Sequence, residues 1–265
     1  MDMKPVSGCK IAVCFSGQSR TYEYCAESIT DFFKSDVTNE YYFFGHTNNK
    51  NSYKPPPDLP GELKHEILDS AELYNNLQQL FGFSKLIVGE EKHRGIHFGI
   101  QLHSQMISNF LKQQFEIENN MMFDVVVRAR FDVCYPNKSN FINFVNGPIQ
   151  EKTLYSHFGL MRPEFILPTP SSIIHYGSSL TMDLVDSVYN TLITGAFHKL
   201  VGYDNYNPIW QRAGDGPLIY KWCTLKNILL MESDIPFAIV RNHSLDLDYK
   251  LEWERLVRRG WLDNV

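Results

Sequence analysis

Positive charge is scarce in this chain: 25 lysines and arginines are outnumbered by 30 aspartates and glutamates, and the net charge at pH 7 is −5. Such a balance lacks the basic field that draws a protein onto nucleic acid or anionic lipid, so neither partner is expected. The one dense basic group, Arg255, Arg258 and Arg259, falls in an amphipathic stretch and reads as a solvated helix face. The cysteines Cys9, Cys14, Cys25, Cys134 and Cys223 are odd in number, and no two have CxxC spacing. That argues against a disulfide frame or a zinc site and suits a reducing compartment. No apolar run approaches the length needed to span a bilayer, and residues 1–10 hold no hydrophobic signal region. A soluble, cytoplasmic protein is expected. GxGxxG and P-loop motifs, internal repeats and linker-like stretches are also missing, so one domain over residues 1–265 is the simplest reading.

What is present is globular material with a surplus of rings: 43% of residues are hydrophobic and 14% aromatic. Aromatic side chains fill cores but also stack on sugars and bases, which leans the reading towards a ligand-binding protein. Lys10-Ile-Ala-Val-Cys-Phe15 is a short apolar run of β-formers ending at Ser16-Gly17-Gln18, as a buried parallel strand followed by a turn should be. Residues 21–34 read as a helix and Tyr41-Tyr-Phe-Phe-Gly45 as a second strand, completing a βαβ unit. A proline-rich stretch over 48–61 reads as a long loop. A helix over 62–81, a strand over 85–88, a helix over 96–118 and a strand over 123–128 follow. This alternation predicts an α/β fold with a mostly parallel central sheet flanked by helices. The second half is less regular. Strands are expected over 154–157, 173–177, 228–231 and 238–240, with helices over 179–196, 214–226 and 251–259.

Ligands of open α/β sheets sit beyond the carboxyl ends of the strands, so candidate residues are sought there. Ser16, Gly17 and Gln18 follow the first strand, where a glycine lets backbone amides approach a phosphate, and Arg20 is placed to fork onto a diphosphate. His46 follows the second strand and is placed for a base or ribose contact. Arg128-Ala-Arg130-Phe-Asp132 closes the strongest strand, and alternation would put its three charges on one face. Read functionally, Asp132 helps to hold Mg2+ or Mn2+ while Arg128 and Arg130 face a diphosphate. Read structurally, an Arg–Asp ion pair closes the strand end. His175-Tyr-Gly-Ser-Ser179 offers a close backbone approach at Gly177 together with a helix cap. Asp215, between Gly214 and Gly216, is either a cap or a catalytic base for an acceptor hydroxyl. His243, Asp246 and Asp248 supply further late groups.

Four of these segments occur in a telling order: Ile11-Ala-Val-Cys-Phe-Ser-Gly-Gln-Ser-Arg20, Phe43-Phe-Gly-His-Thr47, Ser104-Gln105 and Phe123-Asp-Val-Val-Val-Arg-Ala-Arg-Phe-Asp132. Together they resemble a family of small GT-A-like glycosyltransferases of bacteria, phages and large viruses, over roughly residues 10–230. In that family the first strand ends in a Ser/Gly-Gln-x-Arg turn and the second in a His-Thr or His-x-Trp element. The fourth ends in Arg-x-Arg-x-Asp, standing where GT-A enzymes carry Asp-x-Asp. The resemblance implies a GT-A (Rossmann-like) fold, a nucleotide-diphosphate sugar donor and a divalent metal at Asp132. The chain departs from the GT-A pattern at Arg130, which leaves a single acidic ligand and a guanidinium able to offset diphosphate charge itself. The expected activity is transfer of a sugar from the nucleotide to a glycan or other hydroxyl acceptor. The alternatives are a nucleotide-sugar or carbohydrate binder without turnover, and a metal-dependent nucleotide hydrolase.

Overall fold

The computed structural model describes residues 8–53, 64–89, 97–136, 139–145, 147–158, 170–194 and 216–240. Asp215, His243, Asp246, Asp248 and the helix expected over 251–259 lie outside the described residues.

Strand β1 (Lys10–Ser16) is followed by helix α1 (Tyr22–Lys34) and strand β2 (Glu40–Asn48), so the opening βαβ unit stands as the sequence predicts. β1 carries no polar alternation because both its faces are covered. Ile11, Val13 and Phe15 enter one core, and Ala12 and Cys14 enter another. A hairpin of β3 (Lys50–Tyr53) and β4 (Lys64–Ile67) leads to helix α2 (Ser70–Phe81), strand β5 (Lys85–Gly89) and helix α3 (His97–Glu118). Strand β6 (Val125–Ala129) then lies against β1 on the side away from β2. The remaining elements are β7 (Val133–Cys134), β8 (Thr153–Phe158), β9 (Pro170–Gly177), α4 (Ser179–Asp186), α5 (Val188–Ile193), α6 (Gly216–Leu225), β10 (Leu229–Glu232) and β11 (Ala238–Ile239).

Seven strands form one sheet in the order β10-β8-β9-β6-β1-β2-β5, in which β9 alone runs antiparallel. Helices α1 and α2 bury Ile29, Phe33, Leu77 and Phe81 on one face. Helices α3, α4 and α6 bury Leu111, Met182 and Trp222 on the other. The architecture is therefore a doubly wound, Rossmann-like α/β sheet. Among the described residues no helix is long and apolar enough to cross a membrane.

The aromatic surplus goes into the first of these cores. Around Phe15 the rings of Phe33, Phe43, Phe81, Phe83 and Phe131 lie with centroids 5.3–6.4 Å away, mostly edge-on or tilted. These rings build the scaffold, and the composition alone does not separate that use from ligand stacking.

Two predicted elements are corrected. The helix expected over 62–81 begins only at Ser70, and residues 64–67 form β4. The Asp69 carboxylate accepts from the Ala71 and Glu72 amides, both at 2.9 Å, which pins the first turn and prevents an earlier start. The loop expected over 48–61 accordingly gives up residues 50–53 to β3. The helix expected over 179–196 is interrupted at Ser187, which stays in the right-handed helical region but with a ψ of −9°, flatter than the value of about −42° in a regular helix. There the hydroxyl donates to the Leu184 carbonyl at 2.6 Å. Asp69→Ala removes two charge-assisted caps and should cost about 1 kcal/mol, read as a lower urea midpoint with an unchanged slope.

Candidate functional site

After β5 the chain crosses back over β1 to place β6 on its far side, so the strand order reverses between β1 and β6. A crevice opens at such a switch point, outside the carboxyl ends of the two strands. The residues at its mouth are the β1–α1 turn, 16–21, and the turn after β6, 130–132. His46 stands beside Ser16 in the neighbouring register of β2.

Gly17 adopts a φ of +110°, which only glycine takes without strain, and a side chain there would meet no atom within 4 Å. The turn therefore presents bare backbone to open space. Its own amide is not spare, however: Gly17 N–H donates to Ser104 Oγ at 3.1 Å, and the Gly17 carbonyl accepts from Thr47 Oγ1 at 2.8 Å. The Ser104 hydroxyl donates to the His46 carbonyl at 2.8 Å and meets His46 Nδ1 at 2.8 Å. Having given its one proton to the carbonyl, Ser104 can only accept from Nδ1–H, which sets the neutral His46 tautomer with its lone pair on Nε2. Ser104 thus ties together the ends of β1 and β2 and helix α3. Ser16, on the same side as Ala12 and Cys14, is fully buried, and its Oγ has no protein partner among the described residues.

Strand pairing of β6 with β1 stops at Ala129, and residues 131–132 turn. The expectation that Arg128, Arg130 and Asp132 share a face is corrected here, because alternation does not carry through a turn. Asp132, fully buried, accepts from Arg130 Nε and Nη2 at 2.7 Å each and from Arg20 Nη2 at 3.3 Å. Two guanidinium groups are thereby held on one carboxylate beside the Gly17 turn. The backbone is fastened as well. Val240 N–H donates to the Asp132 carbonyl at 2.9 Å, and the Val240 carbonyl accepts from Thr21 Oγ1 at 2.8 Å.

Arg128 points to the α3 side. Its Nη1 lies 3.4 Å from His175 Nε2, both residues are buried, and Asp186 of α4 sits in its field. Burial pushes the Asp186 carboxyl up to about 7 and the nearby Asp183 adds to that, while Arg128 and Lys112 pull the other way. Further along the same seam, fully buried Lys112 bonds Ser179 Oγ at 2.6 Å, Asp183 at 2.8 Å and Glu116 at 2.9 Å. Burial lowers the ammonium's proton affinity, but the two carboxylates more than offset this and leave it raised.

No protein-family model and no curated protein matches the chain. Among solved structures it is similar to a glycosyltransferase involved in the glycosylation of the major capsid of PBCV-1. The two share 9% identity over 71% of this chain and 90% of that one, with a TM-score of 0.39. A likeness so distant says nothing about which residues act or on what.

The structure gathers Gly17, Gln18, Arg20, Arg130 and Asp132 at one crevice, whereas buried Ser16 and Arg128 face the α3 side of the sheet, where His46 meets Ser104. The residues present do not fit a divalent metal at Asp132, whose oxygens both accept from guanidinium groups. Among the described residues no group of three His, Cys, Asp or Glu side chains is arranged to hold an ion. The His175–Ser179 segment is structural where it is described. A Cβ on Gly177 would lie 2.9 Å from the Thr153 carbonyl oxygen, and Ser178 Oγ caps α4 by accepting from Thr181 N–H at 3.3 Å. Sequence reasoning missed Asp186. Its one signal is the i,i+3 spacing of Asp183 and Asp186 in the stretch 180–186, whose other residues are apolar except Thr181, and which equally fits a solvated helix face.

Proposed function

We propose that the protein transfers a sugar from a nucleoside-diphosphate donor to an acceptor hydroxyl, with the diphosphate at the β1–β6 crevice. The observation that supports this is the pair of guanidinium groups, Arg20 and Arg130, held on buried Asp132 beside the positive-φ turn at Gly17. Preset cations in a partly dry site stabilise charge as it develops on a leaving diphosphate, without reorganising at the moment of reaction. In the transfer the anomeric C–O bond to the diphosphate breaks, and the nucleoside diphosphate leaves with the electron pair. The acceptor oxygen forms the new bond, and its proton passes to a base, for which Asp215 is the proposed group. His46, in register with Ser16, is the proposed contact to the ribose or base. No step is assigned to Mn2+ or Mg2+, because Asp132 is committed to the arginines.

The test is a thermal-shift panel of UDP, GDP, TDP and CMP, each with and without Mn2+. A nucleotide at a hundred times its dissociation constant stabilises the fold by about 2.7 kcal/mol. One nucleoside diphosphate is expected to give this shift without metal, and Arg130→Gln to weaken its binding at least tenfold. A shift that requires Mn2+ and survives Arg130→Gln would overturn the arginine assignment. Binding with neither transfer nor donor hydrolysis would mark a nucleotide-sugar binder. No shift with any nucleotide would remove the reading.

A further inference from the structure

One face of α1 is fastened along its length to the chain around β7. Thr21, Cys25, Ser28 and Phe32 recur every three or four residues, which places them on the same side of the helix and its cap. Thr21 Oγ1 donates to the carbonyl of Val240, just after β11, and β11 pairs with β7. Ser28 Oγ accepts from the Tyr135 amide at 2.7 Å and donates to the Tyr135 carbonyl at 2.9 Å. The Phe32 ring stacks on that of Tyr135, with centroids 4.1 Å apart. Between these anchors, Cys25 and Cys134 meet sulfur to sulfur at 3.5 Å. Both are fully buried, and both are free thiols.

The contact is specific. Cys9, Cys14 and Cys223 have no second sulfur against them among the described residues. Nor is the pair half of a metal site, since among the described residues no three His, Cys, Asp or Glu side chains are arranged to hold an ion. Disulfide sulfurs lie about 2.05 Å apart, so a gap of about 1.5 Å remains, a step of the size that side-chain rotation covers. The anchors on either side keep the two backbones in place while it closes.

We propose that Cys25 and Cys134 form a reversible disulfide when the protein meets an oxidising low-molecular-weight disulfide such as oxidised glutathione. One thiol loses its proton and attacks the S–S bond of the oxidant, giving a mixed disulfide and one reduced glutathione. The second thiolate then attacks the protein sulfur of that mixed disulfide and expels the other glutathione. The two thiols give up two electrons and two protons, and one oxidised glutathione becomes two reduced. Burial, and then the neighbouring Cys134, hold the Cys25 thiol well above its ordinary value, so thiolate is scarce in the closed fold. Oxidation therefore waits for α1 to loosen locally, and it is slow. A glutathione adduct has no room in the closed seam, which favours the internal bond. That bond falls four residues after Thr21 and two after Asp132, so it ties together the segments that carry Arg20 and Asp132. The inference holds whatever ligand the crevice takes.

The experiment is incubation of the folded full chain with oxidised glutathione, blocking of remaining thiols with N-ethylmaleimide, and peptide mapping by mass spectrometry without reduction. Urea denaturation of oxidised and dithiothreitol-treated protein accompanies it, for the wild type and Cys25→Ala. A Cys25–Cys134 linked peptide is expected as the main product, forming severalfold faster in urea below the unfolding transition. Because the bond closes a span of 109 residues, the oxidised wild type should unfold at a higher urea midpoint than the reduced form. Dithiothreitol should remove the difference, and Cys25→Ala should show none. The mapping uses the wild type alone, so it stands even where the variant folds poorly. Both thiols recovered as the maleimide adduct, a lasting glutathione adduct on either, or a bond to Cys9, Cys14 or Cys223 instead overturns the proposal. So does an oxidised chain that unfolds at lower urea than the reduced one.

Discussion

Asp132→Ala is expected to lower the stability of the folded chain by about 3–5 kcal/mol, the usual cost of stripping the partner from a buried charge. The Arg130 side chain is only 9% exposed and gives both of its fork bonds to Asp132, while Arg20, at 14%, gives a third. Without the carboxylate, two guanidinium groups repel one another in a place where water reaches them poorly. The sign of the change is what matters. A carboxylate kept for a cation is a liability in metal-free protein, so removing it would leave stability unchanged or raise it. Urea denaturation in the presence of a chelator separates the two roles. A large fall marks Asp132 as the anchor of the arginines, whereas a rise marks it as a ligand.

Asp186→Asn is expected to act in the opposite direction, and only above acidic pH. The carboxyl titrates at about 7 in the fold, against an ordinary value of 3.8, chiefly because it is buried. Below both values folded and unfolded chains carry the same proton, and the residue costs nothing. As pH rises, the unfolded chain ionises first and the folded chain resists, so stability falls between the two values and stays low above them. At about 1.4 kcal/mol per pH unit, the loss amounts to about 4 kcal/mol. After burial, the charged groups that act on it are Arg128 on β6, Asp183 on α4 and Lys112 on α3. The stability difference between Asp186→Asn and the wild type should therefore grow in the variant's favour by about that amount from roughly pH 4 to pH 8. Paired denaturation curves at the two ends measure it. A difference that does not change with pH would mean that Asp186 ionises in the fold as freely as in water.

The sheet was legible in the sequence because its strands are buried on both faces, so Ile11–Phe15 and Val125–Val127 read as unbroken apolar runs. The β3–β4 hairpin was not legible. Its arms are short and polar, they flank a proline-rich stretch, and their pairing is antiparallel in a region where the pattern spoke for helices. At the site, residue types were legible but partnerships were not. Arg130 and Asp132 stand two apart on paper in either reading, and only the turn at 131–132 closes them into a fork. Ser104 was singled out only within the Ser104-Gln105 segment of the resemblance, and nothing local shows that its partners are Gly17 and His46, 87 and 58 residues away. Asp132 was wrongly grouped with Arg128 by extending strand alternation past Ala129, the last residue paired with β1.

The Val240 clasp bears on how the protein matures as it is synthesised. The residues of the crevice have all been synthesised once Asp132 is added, and β1, β2, β5 and β6 can assemble from that portion of the chain after it emerges. The loop that holds Arg20 and the turn that holds Asp132 meet directly through the Arg20–Asp132 pair and are clasped again by Val240, whose contact with Thr21 spans 219 residues. Closing so long a span is slow relative to local pairing. The nascent chain therefore acquires its scaffold, and the residues of its arginine–carboxylate cluster, before this last clasp can close.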